Sequence, residues 1–142
     1  MNGLTRSFVI TKTQLIPLLL HKKELVSDKN SPYYLLVYST TSKFTKISVY
    51  PVYVHPVIKF LIGGSRITEK TINEILSFLK IIHPIILHTS GIVFTDERYE
   101  YEIYFTSSRD TNTSSFKNKL TQIPDIEFVE VSEIPVLNEI SQ

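Results

Sequence analysis

Between Thr68 and His83, Ile72, Ile75, Leu76, Leu79 and Ile82 recur at helical spacing, while Glu69, Lys70, Asn73 and Lys80 take the other side. That period predicts one amphipathic helix. Thr68 is the natural N-cap, Thr71 with Glu74 offers a second capping box, and Pro84 forbids continuation past His83. Phe78 and Ile81 widen the apolar stripe, so this helix needs a second partner besides a sheet. The flanking segments have the strand period instead. Val57 to Ile62 is apolar around Lys59 and meets Gly63-Gly64-Ser65, which reads as strand, tight turn, helix. Ile85 to Phe94 is β-branched and apolar, Thr95 to Arg98 is polar, and Tyr99, Tyr101, Ile103 and Phe105 alternate with Glu100, Glu102 and Tyr104. An antiparallel hairpin with one wet face is the expectation. A weaker helix over about Thr111 to Thr121 stops before Pro124, and Ile126 to Val131 is the last strand.

The predicted fold class follows from that order. It is α+β, a ferredoxin-like βαββαβ with a four-stranded antiparallel sheet and both helices on one face. Val57 and Leu61 point away from Ile58 and Phe60, so the far face is expected to be covered as well. The first 56 residues are the candidate cover: a strand at Ser7 to Ile10, a short helix at Thr13 to His21, and a hairpin of Tyr33 to Tyr38 with Lys43 to Val54. Pro51 and Pro56 mark the seam. The expected division is an N-terminal βαββ or hairpin extension over 1–56, the ferredoxin-like domain over 57–134, and a tail over 135–142.

A chain of 142 residues, 42% hydrophobic and 20% charged, can bury a core and fits one compact domain or one domain with an ordered extension, but not two full-sized domains. Without cysteine it has no disulfide, thiolate zinc site, iron–sulfur cluster or cysteine nucleophile. Met1 to Arg6 lacks the order of a signal peptide, and Leu15 to Leu20, interrupted by Pro17, is too short to span a bilayer. A soluble cytoplasmic protein with no membrane partner is expected. Residues 1–60 carry a net +6 and the remainder −5, so the basic and acidic halves can pack or dimerise favourably, or the basic half can face nucleic acid.

With the βαββαβ order in place, Val57 to Val131 resembles ACT-type ligand-binding domains, small regulatory modules that sense amino acids and related metabolites. The carrying residues are Val57-Ile58-Lys59-Phe60-Leu61-Ile62, Gly63-Gly64 ahead of the first helix, and the hairpin from Ile85 to Phe105. The resemblance implies a non-catalytic, cofactor-free homo-oligomer, a dimer or tetramer paired edge to edge or sheet to sheet. Its effector, an amino acid or similar anion, would lie between Gly63, Gly64, Ser65 and Arg66 of one copy and Leu87, His88 and Thr89 of another.

The residues themselves allow a functional and a plain reading at each position. Two glycines let a backbone approach a ligand, and Arg66 can clamp an anion, but Gly-Gly between strand and helix also makes a simple turn. No phosphate-loop or dinucleotide fingerprint follows it. None of His21, His55, His83 and His88 has metal-motif spacing; His83 suits a helix C-terminus, and His88 is the one near the implied effector position. Glu100 and Glu102 share a strand face and read as solvated, not as an acid–base pair. Gly-x-Ser-x-Gly is absent. The second functional reading is a nucleic-acid-binding adaptor: Tyr34, Tyr38 and Tyr50 of the N-terminal hairpin would stack bases while Lys43 and Lys46 neutralise phosphates. Cross-strand packing or a subunit contact is the competing account of those tyrosines.

Overall fold

The computed structural model describes residues 4–14, 31–107 and 112–137. In chain order the elements are β1 (Arg6–Thr11), β2 (Tyr33–Thr40), β3 (Thr45–Val52), β4 (Val57–Gly64), α1 (Glu69–Ile82), β5 (Ile85–Thr95), β6 (Arg98–Thr106), α2 (Thr113–Thr121) and β7 (Phe128–Ile134). The fold is α+β, with a three-stranded sheet ordered β1-β2-β3 and a four-stranded sheet ordered β5-β6-β4-β7. The chain divides into two compact units: Thr5–Val57 with the segment from Ile134 onward, and Ile58–Glu133 with Leu4.

In the first unit β2 pairs antiparallel with both neighbours, Phe8 opposite Leu36 and Leu36 opposite Val49. The period of two then puts Ile10, Tyr34 and Leu36 into one small cluster against Phe8 and Val49. Ser31, buried beside this sheet, donates from Oγ to the carbonyls of Tyr33 and Val52 and accepts the Val52 N–H at 3.0 Å. The C-terminal segment belongs here too. Val136 bridges Val9 in parallel, and the Leu137 N–H reaches the Val9 carbonyl at 2.7 Å. Of the helix expected over Thr13 to His21, everything from Leu15 on lies outside the described residues.

The second unit is built on its central strands, β4 and β6, whose register places Phe60 opposite Ile103 and Ile58 opposite Phe105. These side chains meet Ile75, Phe78, Leu79 and Ile82 of α1 and Phe116 and Leu120 of α2 in one core, so both helices lie on the same face of the sheet. Phe60 sits in the middle, its ring 4.7 Å from Phe105, 6.0 Å from Phe116 and 6.1 Å from Phe78 between centroids. Helix α1 starts where Thr68 caps it, accepting the Thr71 N–H at 3.3 Å, and ends at His83 in the left-handed region, φ 46°. Thr71, the alternative cap, is buried instead and donates to the Pro124 carbonyl at 3.2 Å. Thr68→Ala should lower the unfolding free energy by about 1 kcal/mol, read as a lower urea midpoint with unchanged slope. No change would mean that Thr71 takes over the cap.

Two boundaries differ from the sequence expectation. Gly63 and Gly64 are not the turn; they are the last residues of β4, paired with Glu100 and Tyr99. The final strand begins at Phe128, because Ile123 and Ile126 are drawn into the core ahead of it, and it runs on to Ile134.

Candidate functional site

The Gly63 to Arg66 segment packs against the approach to β7. A Cβ on Gly63 would run into the Phe128 ring at Cζ and lie 2.7 Å from the Tyr99 carbonyl oxygen, and one on Gly64 would lie 2.6 Å from the Asp125 carbonyl oxygen. The absent side chains are thus filled by the protein itself. The Glu127 N–H donates to the Gly63 carbonyl at 2.9 Å, and Ser65 Oγ donates to Glu127 Oε1. Hydrogen bonds from the Ser65 side chain and backbone hold the Glu127 carboxyl below the usual range, with Arg98 helping through its charge. Beneath this turn Tyr99 is buried and donates to the Asp125 carbonyl at 2.7 Å. Burial, then the Asp125 and Glu127 charges, push its phenol up to about 12. Arg66 is exposed beyond Ser65.

Leu87, His88 and Thr89 lie on β5, an edge strand with a broken register. Ile86 faces Phe105, His88 faces Tyr104, Thr89 faces Ile103 and Gly91 faces Glu102, so Leu87 and Ser90 are extra residues in two bulges. Ser90 Oγ accepts the Glu102 N–H at 2.9 Å, and Thr89 Oγ1 accepts the Gly91 N–H at 3.1 Å, which satisfies backbone groups that the bulges displace. Gly91 takes φ 68°, a left-handed conformation that favours glycine. The bulges also split the expected trio. His88 shares a face with Tyr104, their rings edge to face at 5.8 Å, whereas Thr89 shares the helix face with Ile103.

On that helix face a groove of about 320 Å³ opens between α1 and β5. Ile72, Ile75 and Leu76 form the helical wall, Ile67 ahead of the helix joins the lining, and Thr89, Gly91, Ile92 and Tyr101 form the sheet side. The volume is at the lower end of the small-molecule range, and the lining is almost wholly apolar. Thr89 is the only residue of the implied effector set that lines it. Sequence reasoning places Ile72, Ile75 and Leu76 on the apolar stripe of the helix, which is correct for Ile75 but leaves Leu76 half exposed at the rim.

The far face of the same sheet corrects a second expectation. Glu102 is not solvated: it is 0% exposed, with Lys59 Nζ at 2.8 Å from its Oε2 and the Leu4 N–H on the same oxygen at 3.0 Å. Lys59 also stands 5.3 Å from the centroid of the buried Tyr104 ring. Burial alone would lower the Lys59 pKa, but the hydrogen bond to Glu102 and the Tyr104 and Glu102 charges outweigh it and raise the value. Glu100, on the same strand face two residues away, is partly exposed. A lone lysine inside the run Val57 to Ile62 was the one sequence signal for this pair.

The tyrosine and lysine set of the N-terminal hairpin does not form one surface. Tyr34 is 1% exposed in its cluster. Tyr38 shares its face and stands edge to face with Phe8 at 6.0 Å, while Tyr50, opposite Leu35, belongs to the other face. Lys43 and Lys46 are exposed at the turn, flanking the exposed Phe44.

Among the described residues no group of His, Asp or Glu could hold a metal ion, and no helix is long and apolar enough to cross a membrane. No protein-family model matches the chain, and no curated protein matches it either.

Proposed function

We propose that the chain is a non-catalytic, cytoplasmic regulatory module of ACT-like, ferredoxin-like build, which binds a small metabolite with an apolar body, an amino acid being the class that fits. The carrying observation is the groove between α1 and β5, which has Thr89 of the implied effector set on its sheet side and Ile67, the residue after Arg66, in its lining. The strand order β5-β6-β4-β7, with two helices on one face, supports the ferredoxin-like part of that reading. An apolar side chain would lie among Ile72, Leu76 and Ile92, and the guanidinium of the exposed Arg66, one residue before Ile67, would reach over to the carboxylate. Ligand that prefers one arrangement of the module shifts its population, which is all that a regulatory role requires.

A thermal-shift series over amino acids tests this. An apolar amino acid at 100 times its Kd should add about 2.7 kcal/mol of stability, and Arg66→Ala should abolish the shift. A series in which none raises the melting temperature, or an unchanged shift in Arg66→Ala, overturns the reading.

A further inference from the structure

The described part of the first unit, residues 5–14, 31–57 and 134–137, carries Arg6, Lys12, Lys43 and Lys46 and no Asp or Glu. Between Asp28 and Glu69 the sequence has no carboxylate side chain at all. A surface of one sign draws a partner of the other.

Two of those cations flank the tip of the hairpin that joins β2 to β3. Residues 40–47 are all exposed, and among them Phe44 and Ile47 keep 61% and 56% of their surface open beside Lys43 and Lys46. Ile47, opposite Tyr38, shares the face of Phe8 and Val49, so the apolar side of the sheet runs out toward the tip. Phe44 stands three residues further along, roughly 10 Å at the strand rise.

The turn uses up its own polar groups. Thr41 Oγ1 accepts the Lys43 N–H at 3.2 Å and the Phe44 N–H at 3.1 Å. The Phe44 carbonyl accepts from the Thr41 N–H at 2.9 Å and from the Thr41 hydroxyl at 3.1 Å, and the Thr40 and Thr45 hydroxyls bond to each other at 3.1 Å. N–H groups held inside the turn are not offered to a nucleic-acid phosphate, which backbone donors commonly bind. The same closure removes the main cost of placing a turn where lipid headgroups meet acyl chains, since an unpaired backbone group is expensive there. Outward the tip presents the Phe44 ring, the Ile47 side chain and two ammoniums on long stems, which suits an anionic lipid interface.

We infer that the β2–β3 hairpin tip docks the chain on an anionic lipid bilayer, with Phe44 and Ile47 entering the headgroup boundary and Lys43 and Lys46 pairing with the lipid anions. Ile47 has no π-face on which a base could stack, which favours lipid over single-stranded nucleic acid. A contact of this kind needs no spanning segment, so it revises the expected absence of a membrane partner without calling for a transmembrane helix. It does not depend on the groove or its ligand. Two lysines and one ring make the contact reversible and salt-sensitive.

Co-sedimentation with vesicles tests the docking, using phosphatidylcholine alone and phosphatidylcholine with about 30% phosphatidylserine at low salt. The native chain should bind the mixed vesicles roughly thirtyfold more tightly than the neutral ones, about fivefold per lysine, and added salt should remove the difference. Lys43→Gln with Lys46→Gln should bring binding down to the neutral level. Phe44→Ala should weaken binding to both kinds of vesicle about tenfold. Phe94→Ala, at a ring 68% exposed on β5, should leave binding unchanged, and every variant should melt as the native chain does, since none of these side chains is buried. No binding, equal binding to the two vesicles, unchanged binding in Phe44→Ala, or an equal loss in Phe94→Ala overturns the proposal. So does retention on a single-stranded oligonucleotide without vesicle binding, which assigns the tip to nucleic acid instead.

Discussion

Glu102→Ala should lower the unfolding free energy by about 3–5 kcal/mol, because it leaves the Lys59 ammonium in the sheet face without the carboxylate that repays its desolvation. The variant also strands the Leu4 N–H that shares the same oxygen. Replacing both partners by apolar groups of similar volume, Lys59→Met with Glu102→Leu, should recover most of the loss, since the pair itself is worth little against a hydrophobic isostere. Chemical denaturation of the two single variants and the double variant gives the coupling. A loss under 1 kcal/mol in Glu102→Ala would show that water reaches Lys59.

The pair also has a pH signature. The folded state holds the Lys59 proton more tightly than the unfolded chain does, so its contribution is complete below the ordinary lysine pKa of about 10.4 and is lost as pH climbs through the raised value. Tyr99 acts in the same direction: its phenol is pushed up from 10.0 to about 12, so folding weakens as pH rises between those values. In Glu102→Ala both Glu102 contributions are gone and only Tyr104 still opposes desolvation, so the Lys59 pKa falls and the stability deficit should narrow as pH approaches 10. A deficit that is flat with pH would contradict this account.

Gly63→Val should cost about 3 kcal/mol, at the upper end of overpacking penalties. The Phe128 ring, half-buried, can swing away from a new side chain, but the Tyr99 carbonyl at 2.7 Å belongs to the paired neighbouring strand and cannot. Gly64→Val meets the Asp125 carbonyl and should behave alike. The measurement is a urea midpoint in the absence of any ligand, and a change within 0.5 kcal/mol would mean that the strand and the β7 approach separate easily. Both glycines are thus needed for packing whether or not a ligand ever visits the turn.

Helix α1 was legible almost to the residue, because a 3.6-residue period, a threonine cap and a blocking proline are local signals that tertiary contacts had no cause to override. The Gly63-Gly64 turn was misread for the converse reason. A glycine pair signals a turn locally, but here the ladder to β6 and the Phe128 ring hold it in strand. Alternation put Glu100 and Glu102 on one face correctly, and it could not tell a wet face from a buried one. For the tyrosines the limit was register. Only the pairing of Leu35 with Tyr50 reveals that Tyr34 and Tyr50 point to opposite sides.

What the residues alone determined is the type and order of the elements among the described residues and the apolar stripe of the main helix, since each depends on neighbours a few positions away. Tertiary structure decided which face is dry, where β5 bulges, and that Ile67, Leu76, Thr89 and Ile92 border one groove. Those outcomes depend on groups far apart in sequence, whose meeting is set by strand register and by competition for buried volume.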